Sequence, residues 1–298
     1  MELNKTYRPI ISVIIPVYNG DKTIESTIKS VQNQTVANWE ILVIDNGSTD
    51  STESLVKNIS NTDKRVKLLK SAKGRSCARN KGLDFAHGKY IHFLDADDQI
   101  TNQHMERGLN FLDKNNDFFA YVENTEYINE KFQKISGVNE SHEKNLSMEN
   151  PFEISSVLFR RTDNIVTFMV GLDHNEDWLF WYQNLIYKKI EIRYDLIGER
   201  KLVNGSNTMS DLNNMLGSEI IVLSKINSKT SLFRKVKLMF MFFRSKYKKE
   251  EKFVSIVKKR FRFIYVFIKI VSKIPLIYTV TNYFINYKIR LLREKSLY

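Results

Sequence analysis

A single cysteine, Cys77, stands in 298 residues. No disulfide can close within the chain, so a disulfide-stapled secreted scaffold is excluded and a reducing compartment is expected. The stretch MELNKTYRPI has no apolar core of the kind a cleavable leader needs, so no signal peptide is expected. No window holds ~18 uninterrupted apolar residues, and no transmembrane helix is expected. His and Cys nowhere adopt zinc-ligand spacing. There is no internal repeat, no Gly/Ser linker and no RNA- or DNA-binding motif. One N-x-S sequon, Asn46-Gly47-Ser48, lies in a loop assigned below to the candidate site, where a glycan would obstruct it; that speaks against a secretory route.

Charge is plentiful but uneven. The formal net charge is +12, yet Ser231 to Tyr298 carries 18 Lys+Arg against 3 Asp+Glu, while the first 230 residues hold 28 basic and 31 acidic ones. The basicity belongs to the tail. The change of composition near residues 225–235 divides the chain into a body, 1–225, and an extension, 226–298.

In the body, apolar runs alternate with helical patterns. ISVIIPVYN (11–19), WEILVIDNGSTD (39–50), running straight into a polar turn, RVKLLKS (65–71) and KYIHFLDADD (89–98) read as buried strands, each ending in polar residues. Between them, Ile24, Ile28 and Val31 recur at helical spacing behind Asp21 as N-cap. Ser51 to Ile59 is helical, and GRSCARNKGLDFAHG is a loop and helix with Gly88 as C-cap. Strand–helix alternation predicts a doubly wound, mostly parallel α/β sheet, whose ligands bind at the carboxyl ends of the strands. From Asn102 to about Gly171 the pattern weakens. FFAYVENTEYI and ISSVLFRR read as strands, and HNEDWLFWYQNLIYK (174–188) resumes a helix.

The fourth strand ends in Asp95-Ala96-Asp97-Asp98. Carboxylates this close favour proton uptake unless a cation sits among them. A D-x-D pair suits a hard divalent ion, Mg²⁺ or Mn²⁺, completed by water and phosphate oxygens. An isolated D-x-D is more often a solvated turn; its place at the end of the fourth alternating strand favours the metal.

ISVIIPVYNGDKTIESTIKSVQNQT, EILVIDNGSTD, GRSCARNKGLDFAHGKYIHFLDADD and NEDWLF match the family 2 glycosyltransferases in order and spacing, over roughly residues 10–210. The resemblance implies a GT-A (Rossmann-like) nucleotide-sugar-binding domain. It implies that Pro16 and Tyr18 line the base subsite, with Asp45 and Asn46 beside them. Relatives usually carry a second acid at the Asn46 position to accept the uracil N–H; an amide oxygen can also accept that bond. Arg75 and Arg79 are diphosphate candidates, either of which suits phosphate oxygens. Asp95 would meet the ribose, next to Ala96, and Asp97 the metal, with Asp98 a supporting group. Of the pair Glu176-Asp177, Asp177 would be the general base and Glu176 a donor-site residue; acids in a first helical turn are otherwise explained by the helix dipole. Trp178 and Trp181 either stack on sugar faces or pack the helix, with packing expected for one of them. Arg200, with Lys201, would belong to a basic segment (199–210) over the diphosphate. Attack opposite the departing nucleoside diphosphate would invert the anomeric centre. The implied donor is a nucleotide sugar, best UDP-glucose, and the implied acceptor a saccharide on polyprenyl diphosphate. A nucleotidyltransferase is the rival reading, but PVYNGDK lacks the Gly- and Lys-rich first loop it would want.

In the extension, Lys269 and Lys273 each fall within about 20° of Arg262 on a helix, beside an apolar face of Phe263, Ile264, Phe267, Ile270 and Val271. Pro275 interrupts the run. This is the pattern of an interfacial helix on anionic lipid, or else of a bundle packed on the body; nucleic acid is not expected. A peripheral location on the cytoplasmic face of a bacterial inner membrane follows from the lipid-linked acceptor.

Overall fold

Ile11–Val17 forms β1 and Trp39–Asp45 forms β2, both Ile/Val-rich and buried almost throughout, as central parallel strands require. The computed structural model describes residues 8–129, 133–137, 146–147, 149–172, 174–203 and 212–226, with Val266, Ile274, Thr279, Val280 and Tyr283. Two units divide the chain. The larger comprises Met1–Glu143, Phe152–Gly171 and Gln183–Leu202; the smaller comprises Lys144–Pro151, Leu172–Tyr182 and Val203–Tyr298.

In the larger unit α1 (Ile24–Gln32) joins β1 to β2, α2 (Thr52–Thr62) leads to β3 (Val66–Lys70), and α3 (Arg75–Phe85) leads to β4 (Tyr90–Phe93). Then follow β5 (Gln99–Ile100), α4 (His104–Lys114), β6 (Phe118–Ile128), β7 (Lys134–Gly137), a 3-10 turn at Ile154–Ser156, β8 (Val157–Arg160) and β9 (Lys189–Leu202). The strand order is β3-β2-β1-β4-β8-β6-β9-β5, with β7 on β6. The first four strands pair in parallel, as alternation predicts. Beyond β4 the sheet is mixed: β8 is antiparallel to β4 and β6, while β6 and β9 are parallel. The chain enters β8 directly from the 3-10 turn and lies antiparallel between β4 and β6.

This order puts a switch point between β1 and β4, whose loops leave on opposite sides and open a crevice. Pro16 marks where it opens. The β1–β4 ladder ends at Ile14↔Phe93, while the β1–β2 ladder continues to Val17↔Asp45. Ile14 turns its carbonyl to β4 and accepts the Leu94 N–H at 3.0 Å. Pro16 has the same parity, so the N–H it lacks would point where β4 has already turned away.

Two expected caps differ. Helix α1 starts behind Thr23, and Asp21 instead donates its backbone N–H to Asp50 Oδ2 at 3.1 Å. Helix α3 ends at Ala86 in extended conformation. Gly88 lies against β1, where a Cβ would come within 2.5 Å of Ser12 N. Its role is close approach of backbones, not helix termination.

In the smaller unit lie the first residues of α5 (Glu176–Leu185) and α6 (Leu212–Lys225). Trp178 and Trp181 are both buried, and Trp178 Nε1 donates to Leu146 O at 2.8 Å. Both indoles therefore pack, rather than one of them presenting a stacking face. The expected interfacial helix, with Arg262, Lys269 and Lys273, lies outside the described residues. Among the described residues no helix is long and apolar enough to cross a membrane.

The centre of the larger unit holds a buried imidazole pair. His92 Nδ1 lies 3.1 Å from Val157 O, and the His104 ring is 5.1 Å away, its Nδ1 2.8 Å from Glu123. Burial, then the neighbouring His104, hold the His92 proton affinity well below the ordinary 6.5. The folded state thus binds fewer protons than the unfolded chain as pH falls through 6.5, and His92 subtracts up to ~1.4 kcal/mol of stability per pH unit there. Glu199, pushed up to about 7 by burial, works in the opposite direction over the same window. The comparison with His92→Asn isolates the imidazole. The stability gap between wild type and variant should narrow from pH 6.5 to 5 in chemical denaturation; a constant gap would refute a neutral buried His92.

Candidate active site at the strand ends

The loops after β1 and β2 are laced together. Asn19 adopts the left-handed region, φ 51, and its Oδ1 accepts the Thr49 N–H at 2.8 Å. Its own N–H donates to Ser48 Oγ at 3.0 Å, and the Gly20 N–H donates to Thr52 Oγ1 at 2.9 Å. Asp45 is buried, and its Oδ1 accepts the Ser48 N–H at 2.9 Å, which bends Asn46-Gly47 into a turn. Asn46 donates its N–H to Val17 O at 2.8 Å, and its side-chain oxygen accepts the Gly74 N–H at 2.8 Å. That bond ties the start of α3 to the end of β2 and leaves the oxygen one further lone pair. Tyr18 is 51% exposed, with the Lys73 ammonium 5.8 Å from its ring centroid.

After β4 the acids diverge in role. Arg79 is buried in α3, and its Nη2 donates to Asp95 Oδ1 at 2.8 Å. Burial opposes ionisation of Asp95, but Arg79, then Arg75 and Lys201, hold its carboxyl down at about 2. Arg79 is therefore the internal counter-ion of Asp95. Arg75, the first residue of α3, adds to the field on Asp95 and Asp97. The Ala96 carbonyl accepts Thr27 Oγ1 at 2.9 Å, which fixes the turn to α1. Burial, then the charge of Asp95, push the Asp97 carboxyl upward. Among the described residues no cation stands at ion-pair distance from Asp97.

Asp98 turns inward. Its Oδ1 accepts the Leu202 N–H at 3.2 Å and its Oδ2 the Ser155 hydroxyl at 3.3 Å. Ser155 Oγ accepts the Asp95 N–H at 3.1 Å. Lys201 Nζ reaches Glu153 at 2.8 Å and Asp98 at 3.9 Å. Of the basic pair expected over the diphosphate, Lys201 thus faces the interior, while Arg200 pairs with Glu126 at 3.3 Å on the neighbouring strand. Residues 204–211 lie outside the described residues.

In the smaller unit Glu176 is buried, and Asp177 accepts from Asn150 Nδ2 at 2.7 Å on Oδ2 and from the Trp178 N–H at 2.8 Å on Oδ1.

The structure brings Pro16, Tyr18, Asp45, Asn46, Arg75, Arg79, Asp95, Ala96 and Asp97 to the strand-end side of β1, β2 and β4. It adds residues that sequence reading passed over: Thr27, Glu153 and Ser155. The paired serines inside the apolar ISSVLF run were the one available signal for Ser155, since a buried hydroxyl needs a partner.

A divalent ion fits this chemistry. Among the described residues no group of three or more His, Cys, Asp or Glu side chains is arranged as a metal cage. Asp97 offers a hard oxygen donor with no ion-pair partner among the described residues, the donor type that Mg²⁺ and Mn²⁺ take when substrate phosphates and water fill the shell.

A mixed α/β sheet with a switch point between β1 and β4, whose strand ends carry Tyr18, Asp45, Asp95 and Asp97, has the architecture of a glycosyltransferase of the GT-A fold. The glycosyl transferase family 2 model matches residues 12–175, and the chain belongs to that family. A Haemophilus influenzae protein described as an uncharacterized glycosyltransferase is 36% identical over 191 residues, 62% of this chain and 76% of its own length. Escherichia coli WfaP, a UDP-Glc:alpha-D-GlcNAc-diphosphoundecaprenol beta-1,3-glucosyltransferase, is 32% identical over 198 residues, 62% of this chain and 73% of its own length. Escherichia coli WfgD bears the same activity name and is 44% identical over 122 residues, 40% of this chain and 47% of its own length. Among solved structures, S. aureus TarS 1-349 in complex with UDP-GlcNAc superposes with a TM-score of 0.60 at 19% identity, covering 88% of this chain and 79% of that one. The mannosyltransferase PcManGT from Pyrobaculum calidifontis, in complex with GDP-Man and Mn2+, gives 0.57 at 15% identity, covering 93% and 84%. The two structures establish the fold.

Proposed function

We propose that the chain is an inverting, divalent-metal-dependent hexosyltransferase. It moves glucose from UDP-glucose to a saccharide carried on polyprenyl diphosphate, forming a β-linkage in O-antigen, capsule or lipopolysaccharide synthesis. The observation that carries this reading is Asp97, a carboxylate with no cation at ion-pair distance among the described residues, beside an Asp95 already paired with Arg79. The activity names of WfaP and WfgD support the donor and the lipid-linked acceptor.

In this reading Tyr18 stacks on the base, with Asp45 and Asn46 shaping its pocket. Asp95 receives the ribose, Arg75 the diphosphate, and Asp97 holds Mn²⁺ or Mg²⁺. A divalent ion held by Asp97 would supply charge neutralisation for the nucleoside diphosphate leaving group. Asp177 removes the proton from the attacking hydroxyl. The basic extension meets anionic lipid at the cytoplasmic face of the inner membrane, where the acceptor resides.

The test uses the full-length chain and a panel of UDP-, GDP- and CDP-sugars with a synthetic lipid-diphosphate acceptor. UDP-glucose with Mn²⁺ or Mg²⁺ should give the fastest transfer, the product should be β-linked by NMR, and EDTA should stop turnover. Another UDP-hexose turning over ~10-fold faster would replace the donor, and undiminished transfer in EDTA would remove the metal. Sedimentation with vesicles tests the extension: the chain should bind anionic vesicles at ~0.1 M salt and lose them at ~1 M, where charges are screened. Equal recovery with neutral vesicles would reject the electrostatic surface role.

A further inference from the structure

We infer that Lys201 is a positioning residue for the Asp95–Asp98 turn, acting through Asp98 and Ser155; its consequence for catalysis rests on the reading of that turn as the donor site. The end of β9 is bolted to the end of β4 by a buried polar relay. Lys201 Nζ lies 2.8 Å from Glu153 Oε2 and 3.9 Å from Asp98 Oδ2. Asp98 is 1% exposed and takes the Leu202 N–H on one oxygen and the Ser155 hydroxyl on the other. Ser155 in turn takes the backbone N–H of Asp95. The Tyr127 hydroxyl donates to Glu153 Oε1 at 3.1 Å.

Buried Asp98 and quarter-exposed Glu153 therefore share one ammonium, and the other donors named to them are neutral. Removing the ammonium leaves buried Asp98 with no cation at ion-pair distance among the described residues and in the field of buried Glu199, an arrangement a buried site does not tolerate in place. The turn has few other restraints on this side. The Leu94 N–H is held independently by Ile14 O, and the Ala96 carbonyl by Thr27. Displacement of Asp98 thus passes through Ser155 to the Asp95 amide, and from there to the position of the Asp97 carboxylate. Lysine suits the place because its ammonium is compact; the planar fork of arginine keeps the charge but needs more room.

The test reads the turn directly. In Lys201→Met, hydrogen exchange at the Asp95 amide, followed by NMR, should accelerate about tenfold relative to the Leu94 amide. Donor KM should rise about tenfold with kcat changed less than about threefold, because the loss falls on ground state and transition state alike. Lys201→Arg should recover part of both. In a cycle with Asp98→Asn, the second substitution should add less than its single effect, since the two act along one path. Unchanged Asp95 exchange in Lys201→Met, or strict additivity with Asp98→Asn, overturns the inference. Should Lys201→Met fail to fold, Ser155→Ala removes only the relay hydroxyl and must give the same acceleration at Asp95; no change there also overturns it. If the wild type bound no nucleotide sugar, the donor-site reading would fall, while the exchange rates would still decide the role of Lys201.

Discussion

Asp97→Ala is expected to lower transfer by on the order of 10³-fold while the protein stays folded. The reason is the asymmetry of charge after β4. Asp95 has Arg79 at 2.8 Å and is held ionised; Asp98 is bound by Leu202 and Ser155 and flanked by Lys201. Asp97 has burial and the negative field of Asp95 against it. A carboxyl whose proton affinity is raised on folding destabilises the fold above its unfolded value, and that penalty fades as the pH falls and the group protonates. Removing it should therefore leave the unfolding midpoint at pH 7, measured without metal, equal to or above that of the wild type. A loss of activity with no loss of stability is the signature of a group kept for function. Mn²⁺ binding followed by electron paramagnetic resonance should disappear in the same variant. Full turnover by Asp97→Ala, or Mn²⁺ affinity equal to wild type, would remove Asp97 from the metal site.

The second large effect belongs to Asp177. Asp177→Asn should reduce kcat by ~10²–10⁴-fold, the range for loss of a positioned base, with donor affinity unchanged. The amide is isosteric but cannot take a proton. It also cannot accept from both present donors, the Asn150 amide at 2.7 Å and the Trp178 N–H at 2.8 Å, because one of its two ends is itself a donor. One bond is lost, for a stability decrease of about 1 kcal/mol. Isothermal titration with UDP should return the wild-type value. A variant that retains wild-type kcat would leave Asp177 as a helix-start acid and nothing more. A parallel loss of UDP affinity would point to misfolding rather than to missing proton transfer.

Much of the architecture was legible in the chain. The parallel half of the sheet follows from Ile/Val runs that end in polar residues, because burial on both faces leaves no alternation and the strand must stop where polarity resumes. The acids after β4 stood out for the same reason. What escaped was everything that depends on pairing across distance. Asp21 and Gly88 look like caps, yet Asp21 answers to Asp50 and Gly88 to the backbone of β1. Lys201 reads as a surface cation of a basic segment, but its partners are Glu153 and Asp98. ISSVLFRR reads as a strand, and nothing local says that it enters antiparallel beside β4.

By itself, the sequence determined the strand–helix alternation, the placing of carboxylates at strand ends, and the presence of a basic extension. These are properties of neighbouring residues and of period. Only the tertiary structure decided which cation serves which carboxylate: Arg79 for Asp95, Lys201 for Asp98 and Glu153, and none among the described residues for Asp97. The reason is reach. Asp98 and Leu202 are 104 residues apart in the chain, and electrostatic pairing between buried groups depends on ångströms in space, which spacing along the sequence does not encode.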